Sequence, residues 1–160
     1  MSTGASPAPS AHAGPPPYDP AAVGRVASHV PIRNVELVGA HFERSDDGLD
    51  AAAPSGDDVP DFGISVEWGY EPDASQLACL LTFGTLFADE DGPYEIVARF
   101  RLTYELAPSD DISPGDMEQF AHWNAVFNAW PYWREYVAST LNRAHLPRFL
   151  VPVMGVPHRD

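Results

Sequence analysis

Residues 128–137 read N-A-W-P-Y-W-R-E-Y-V, and the fold turns on how Pro131 is read. The stretch is otherwise amphipathic and helical, with a tryptophan on either side of the proline. Proline removes a backbone donor and clashes with the carbonyl four residues earlier, so a helix interior resists it. At the first position of a helix the missing N–H has no consequence. The sequence therefore predicts a junction at Pro131, where one helix ends and the next begins.

Downstream of it, Trp133, Tyr136, Val137, Thr140, Leu141 and Ala144 recur at helical spacing and make one apolar face. His145, Leu146 and Pro147 end that helix, because the residue before a proline avoids helical dihedrals. Upstream, Ser113-Pro114-Gly115-Asp116 reads as an N-cap, a proline at N1 and an acidic N3 partner. Met117, Phe120, Trp123, Asn124 and Phe127 follow at helical spacing.

Four segments before the helices read as strands. Ile32–Glu43 is rich in Val, Leu and Phe, and Gln76–Ala88 is apolar on both faces, as a central strand is. Phe62–Tyr70 and Tyr94–Leu106 alternate with the two-residue period of a strand, one face apolar. Asp89-Glu90-Asp91-Gly92 marks a hairpin between the last two. The expected fold is α+β: a four-stranded antiparallel meander with two C-terminal helices packed on one face.

The remaining segments bound this domain. Residues 1–24 read as a disordered Pro/Ala-rich tail, with six prolines among the first twenty positions. Residues 25–154 form the domain. Within it Ser45–Asp61, which carries six aspartates, is expected to be a long acidic mobile loop. Residues 155–160 make a short C-terminal tail.

Composition narrows the function. A formal net charge of −14 argues against nucleic acid and against anionic membranes as partners. All nine basic residues are arginines. No apolar run reaches the roughly 18–20 residues of a membrane span, and no secretory leader pattern opens the chain. The single cysteine, Cys79, cannot form an internal disulfide, which fits a cytoplasmic protein, and its apolar setting predicts a buried thiol.

The order of four strands, helix, W-P-Y-x-R-E, helix and L-P-x-x-x-x-P resembles the SecB family of export chaperones. The matching residues are Trp130-Pro131-Tyr132-Trp133-Arg134-Glu135, then Leu146-Pro147 and Pro152. The resemblance covers roughly residues 31–153, with its signature confined to about 130–152. It implies an ATP-independent holdase, assembled as a homotetramer, that binds unfolded or aggregation-prone polypeptides in apolar grooves between sheet and helices. It also implies a role in protein export, docking to the ATPase SecA, or service as the dedicated chaperone of an antitoxin in a toxin–antitoxin module. Glu43 matches the end of the family's acidic docking pattern, but Gly39 stands where an acidic residue is expected. Residues 155–160 are too short and proline-bearing for the further amphipathic helix that walls the groove in export members.

The residues themselves support such a surface. Eight Phe, six Tyr and four Trp offer large contact areas at low entropic cost, and strong negative charge keeps an apolar surface from self-association. Phe62, Trp68, Tyr70, Phe87 and Tyr94, near strand ends, are the expected client contacts. Trp130 through Tyr136 (Trp130, Pro131, Tyr132, Trp133, Arg134, Glu135, Tyr136) are expected at the helix junction or a subunit interface. Glu135 is expected near the positive end of the second helix, and Arg134 as an ion-pair partner or a solvated charge. No cofactor or metal is called for: His12, His29, His41, His122, His145 and His158 show no metal-ligand spacing. The alternative is a small ligand-binding protein or enzyme with a pocket between sheet and helices, in which His122 would move protons beside a strand carboxylate.

Overall fold

The computed structural model describes residues 14–44, 62–89 and 92–154. The expected acidic loop, the tail through residue 13 and residues 155–160 lie outside these. Strands β1 (Ile32–Arg44), β2 (Phe62–Glu71), β3 (Gln76–Asp89) and β4 (Gly92–Glu105) form one antiparallel sheet, with helical structure packed on one face. The α+β class stands. The meander is correct only for β2, β3 and β4, because the sheet order is β1-β4-β3-β2. Tight connections dictate those three: a 3-10 turn at Pro72–Ala74 joins β2 to β3, and Gly92, at φ 116, opens β4 opposite Asp89. β1 is set apart from β2 in sequence by residues 45–61, and side-chain match accompanies its place beside β4. Against β4, Val35 and Leu37 lie opposite Leu102 and Phe100, while Glu36 lies opposite Arg101.

The helical run corrects the reading of Pro131. Chain from Pro114 to Arg143 passes from α2 (Pro114–Gln119) through a π-helical stretch (Phe120–Ala125) into α3 (Val126–Arg143). Pro131 lies inside α3. Two expected helices are therefore one run. A proline in a helix interior costs about 3 kcal/mol, but Trp130 and Trp133 flank it and both are buried. Burying a large apolar side chain contributes about 1.5–3 kcal/mol, so the flanking pair offsets the break and packing keeps the helix whole. Glu135 is accordingly mid-helix, away from any positive helix end.

The π-helical stretch explains a second difference. Buried positions step from Phe120 and Ala121 to Ala125 and Val126, an interval of five rather than four. A wider turn shifts the apolar face by one position. Phe127, expected on the buried face, is thus exposed, and Ala129, Trp130, Trp133, Val137 and Leu141 carry the core contact. At the N-terminus of α2 the capping box is present as expected, with Ser113 Oγ accepting from Asp116 N–H and Asp116 accepting from Ser113 N–H.

A helix not foreseen in the sequence, α1 (Pro20–Ala27), occupies the end of the expected tail. Ala22, Val23 and Val26 are buried, and its partners lie far along the chain. Arg25 pairs with Asp116 at 2.6 Å. Trp123 Nε1–H donates to the Pro16 carbonyl at 3.1 Å, Gln119 donates to the Pro17 carbonyl, and Tyr18 packs edge-on against Trp123. Local composition cannot signal such support, because every anchor comes from the helical run.

Two outcomes follow from these contacts. Pro131→Ala restores an intrahelical donor at an exposed position, so denaturant melts should show a stabilisation of up to about 3 kcal/mol. A loss of stability would show that α3 needs the proline's geometry to follow the sheet. The Arg25 guanidinium, with help from Ser113, holds the Asp116 carboxyl down to about 2. Its unfolded value is about 3.9. The folded value is the lower one, so this contribution is complete above about pH 4 and is lost as pH falls toward 2. Asp116→Asn should flatten that part of the stability profile, measured by thermal melts across the acid range.

Candidate functional site

Register divides the sheet into two chemically opposite faces. Residues opposite one another across a ladder share a face, so the partners of buried Leu81, Phe83, Phe100 and Leu102 point toward the helices. The outer face carries charge pairs: Arg33 with Glu105, Arg101 with Glu36 at 3.6 Å, Arg99 with Glu67 at 3.7 Å, and His41 with Glu95 at 3.1 Å. Such exposed pairs contribute little to stability. They make the outer face predominantly charged, with Leu80, Leu86 and Val97 half-buried among the pairs, while the large apolar cluster lies on the inner face.

The helical run rests on β2, β3 and β4. Trp133 is fully buried, stacked on Phe83 with centroids 5.7 Å apart. Its indole N–H has no hydrogen-bond partner among the described residues. Trp130 lies toward β2, its ring edge-on to Phe83 at 5.8 Å and Phe62 at 5.9 Å. Tyr132 leans the other way, toward Phe100 at 6.4 Å, whose neighbour on β1 is Leu37. The helix therefore leaves two margins of the inner face, one along each edge strand.

The β1 margin is open. Ile32, Leu37 and Phe42 face inward opposite Tyr104, Phe100 and Ile96, yet all three are exposed. Tyr132 borders the same recess. The β2 margin is partly roofed. After α3 the chain reverses, with His145 at φ 57, Leu146 N–H bonded to the Leu141 carbonyl and His145 N–H to the Asn142 carbonyl. These bonds form a Schellman stop, with histidine where glycine is usual. The stop sends Arg148–Met154 back along the β2 margin. Phe149 packs against Phe87 at 5.1 Å and Phe62 at 6.3 Å, and Val151 is buried. Trp130 Nε1–H donates to the Pro152 carbonyl and Arg134 Nε–H to the Val151 carbonyl, each at 2.8 Å.

These positions sort the residues singled out in the sequence. Phe62, Trp68 and Tyr70 are half-buried on the inner face of β2, with the Tyr70 hydroxyl donating to the Leu106 carbonyl. Phe87 and Tyr94 are only 6% and 4% exposed and stack on each other, so neither is accessible in this conformation. Trp133 is fully buried in the core of the chain. Tyr136 is half-buried on Trp133. Pro131, Tyr132 and Glu135 are exposed. Arg134 reads a backbone carbonyl, where an ion pair or a solvated charge was expected. Glu43 is exposed on the outer face of β1, opposite Glu95. The sequence analysis missed Ile64, Leu150 and Val153, exposed apolar side chains at the β2 margin and on the returning segment. For Leu150 and Val153 the signal was an apolar run, F-L-V-P-V, too short for an element, and for Ile64 it was the alternation of β2.

The titratable groups offer little to catalysis. Burial pushes the Cys79 thiol up to about 12, and burial likewise raises the Tyr104 hydroxyl. His122 lies in the π-helical stretch, its pKa lowered by burial, and it has no hydrogen bond to a strand carboxylate among the described residues. Among the described residues, no three His, Cys, Asp or Glu side chains group as metal ligands would. What the site offers is apolar surface edged by backbone-reading donors.

The structure is similar to that of the Mycobacterium tuberculosis SecB-like chaperone Rv1957, solved in complex with a ChAD peptide from the HigA1 antitoxin Rv1956. The TM-score is 0.69 at 16% identity, over 84% of this chain and 94% of that one. A protein of unknown function from Streptococcus agalactiae aligns with a TM-score of 0.46 at 11% identity, over 78% of this chain and 97% of that one. No family model matches the sequence, and no curated protein does. The fold is SecB-like.

Trp130→Phe keeps the ring packing against Phe62 and Phe83 but removes the donor to Pro152. It should cost about 1 kcal/mol in denaturant melts. A cost near zero would show that the returning segment is held by its side chains alone.

Proposed function

We propose that this protein is an ATP-independent holdase that binds unfolded or aggregation-prone polypeptides along the β2 margin of its inner face. One observation carries the reading: the apolar face of the sheet extends beyond its helix at both edges and ends in exposed aliphatic and aromatic side chains. Exposed contiguous apolar surface marks an interaction site. Among the described residues β1 and β2 are the sheet's edge strands, and an extended client can join such an edge as an added strand. The charged outer face and net charge of −14 keep such a molecule soluble between clients.

The two margins suit different partners. The β1 margin, with Ile32, Leu37, Phe42 and Tyr132, is the surface for subunit contacts in a homotetramer. The β2 margin, with Phe62, Ile64 and Trp68, is the client groove. Fold likeness to a chaperone bound to an antitoxin peptide supports polypeptide as the ligand class, and an antitoxin as one client. A role in export through SecA has less support, since Glu43 is flanked by the Gly39 departure. The free, buried thiol of Cys79 supports a cytoplasmic setting, and no helix among the described residues is long and apolar enough to cross a membrane.

Purified protein should scatter light with the mass of a tetramer and delay aggregation of a denatured client at stoichiometric ratio without nucleotide. Ile64→Asp, which puts a charge in the groove away from β1, should weaken client binding at least about tenfold while leaving the tetramer intact. A monomer with no effect on aggregation would contradict the proposal.

A further inference from the structure

The segment Arg148–Met154 is held by side chains rather than by its own backbone pairing. Among the described residues no backbone-to-backbone hydrogen bond ties it to the domain. From Phe149 to Pro152 its burial alternates: Phe149 is half-buried, Leu150 is 78% exposed, Val151 is buried and Pro152 is exposed, before Val153, 77% exposed, leaves the surface. That two-residue period is the signature of an extended chain lying on a surface. Two donors from α3, Trp130 Nε1–H and Arg134 Nε–H, bond the consecutive carbonyls of Pro152 and Val151. Alternate side chains, Phe149 and Val151, enter the apolar surface below, and Phe149 meets Phe62 and Phe87. Beside it an open cleft of about 360 Å³, lined by Ala138, Leu141, Asn142, Arg148, Phe149 and Leu150, shows that the seat is not a closed core.

Main-chain carbonyls bonded by fixed donors, with alternate side chains in sockets, is how a binding site holds an extended peptide ligand. Carbonyls are common to every polypeptide, so Trp130 and Arg134 recognise chain rather than sequence. The sockets supply the selectivity. We infer that Arg148–Met154 is an internal stand-in for a client: it occupies a peptide subsite whose ligands carry an aromatic or large aliphatic residue at one position and an aliphatic residue two positions later. Clients bind there by displacing it. This rests on the holdase reading and adds to it both a ligand pattern and a threshold. A tethered occupant acts at an effective concentration on the order of millimolar. Only segments that satisfy both sockets and both donors compete, and short or polar segments are left alone.

The test weakens the occupant without touching the site. Fluorescein-labelled β-casein serves as the unfolded probe, and anisotropy reads its binding to the full chain and to a Phe149→Ser/Val151→Ser variant, each checked for folding by circular dichroism. The variant should bind casein on the order of tenfold more tightly, and the free peptide RFLVPVM should compete with casein for it. Equal or weaker binding by the folded variant would overturn the inference while leaving the holdase reading in place. Should the variant not fold, the wild-type chain decides. Millimolar RFLVPVM then displaces casein if the inference holds, and a failure to displace overturns it. Casein bound by neither form would overturn the holdase reading and this inference with it.

Discussion

Trp133 stacked on Phe83 is the contact on which the rest of the molecule depends. It pins one helical run across the middle of the sheet in full burial. Because the run is one helix wide and the sheet four strands wide, pinning it centrally leaves apolar surface at both edges. Trp130, on the opposite side of Pro131, turns toward β2 and becomes the anchor of the returning segment. Arg134, about one helical turn further on, supplies the second anchor. The W-P-Y-W-R stretch therefore sets the helix in place and furnishes the donors at one edge. Its proline survives because the tryptophans beside it contribute more than it costs.

Much of the fold was legible in local pattern. Alternation over Phe62–Tyr70 and Tyr94–Leu106 located two strands, and Ser113 to Asp116 located a helix start through its capping chemistry. Features set by distant partners were not legible. Pairing of β1 with β4 depends on matches such as Glu36 with Arg101, separated by most of the domain. α1 depends on Asp116 and Trp123, and its own residues, half of them alanine and proline, carry no comparable signal. The π-helical stretch changed the apolar period, so a face counted at constant period drifted off the core at Phe127. Pro131 was misread for the same reason: the rule against interior proline is local, and the packing that overrides it is not.

The site was legible in part. Phe62, Trp68 and Tyr70 were found because a strand's alternation identifies its inner face. Phe87 and Tyr94 lie on that face too, but Phe149 of the returning segment packs on Phe87, and Phe87, Phe42 and Arg44 pack on Tyr94, and no local pattern announces such cover. Arg134 looked like an ion-pair partner because charge suggests charge, whereas its geometry reads a carbonyl. Charge is instead concentrated on the outer face of the sheet, where arginines on β4 meet glutamates on β1 and β2. Separation of charge from apolar surface across one thin sheet is what lets an apolar groove remain in water.

A methyl-labelled NMR titration with an unfolded polypeptide would test this account most directly, since methyl-bearing residues occur on both faces. The account predicts perturbation at Ile64, Val66, Leu150, Val151 and Val153 along the β2 margin, with Leu80, Leu86 and Val97 on the outer face unmoved. Perturbation confined to the outer face, or none at saturating polypeptide, would contradict it.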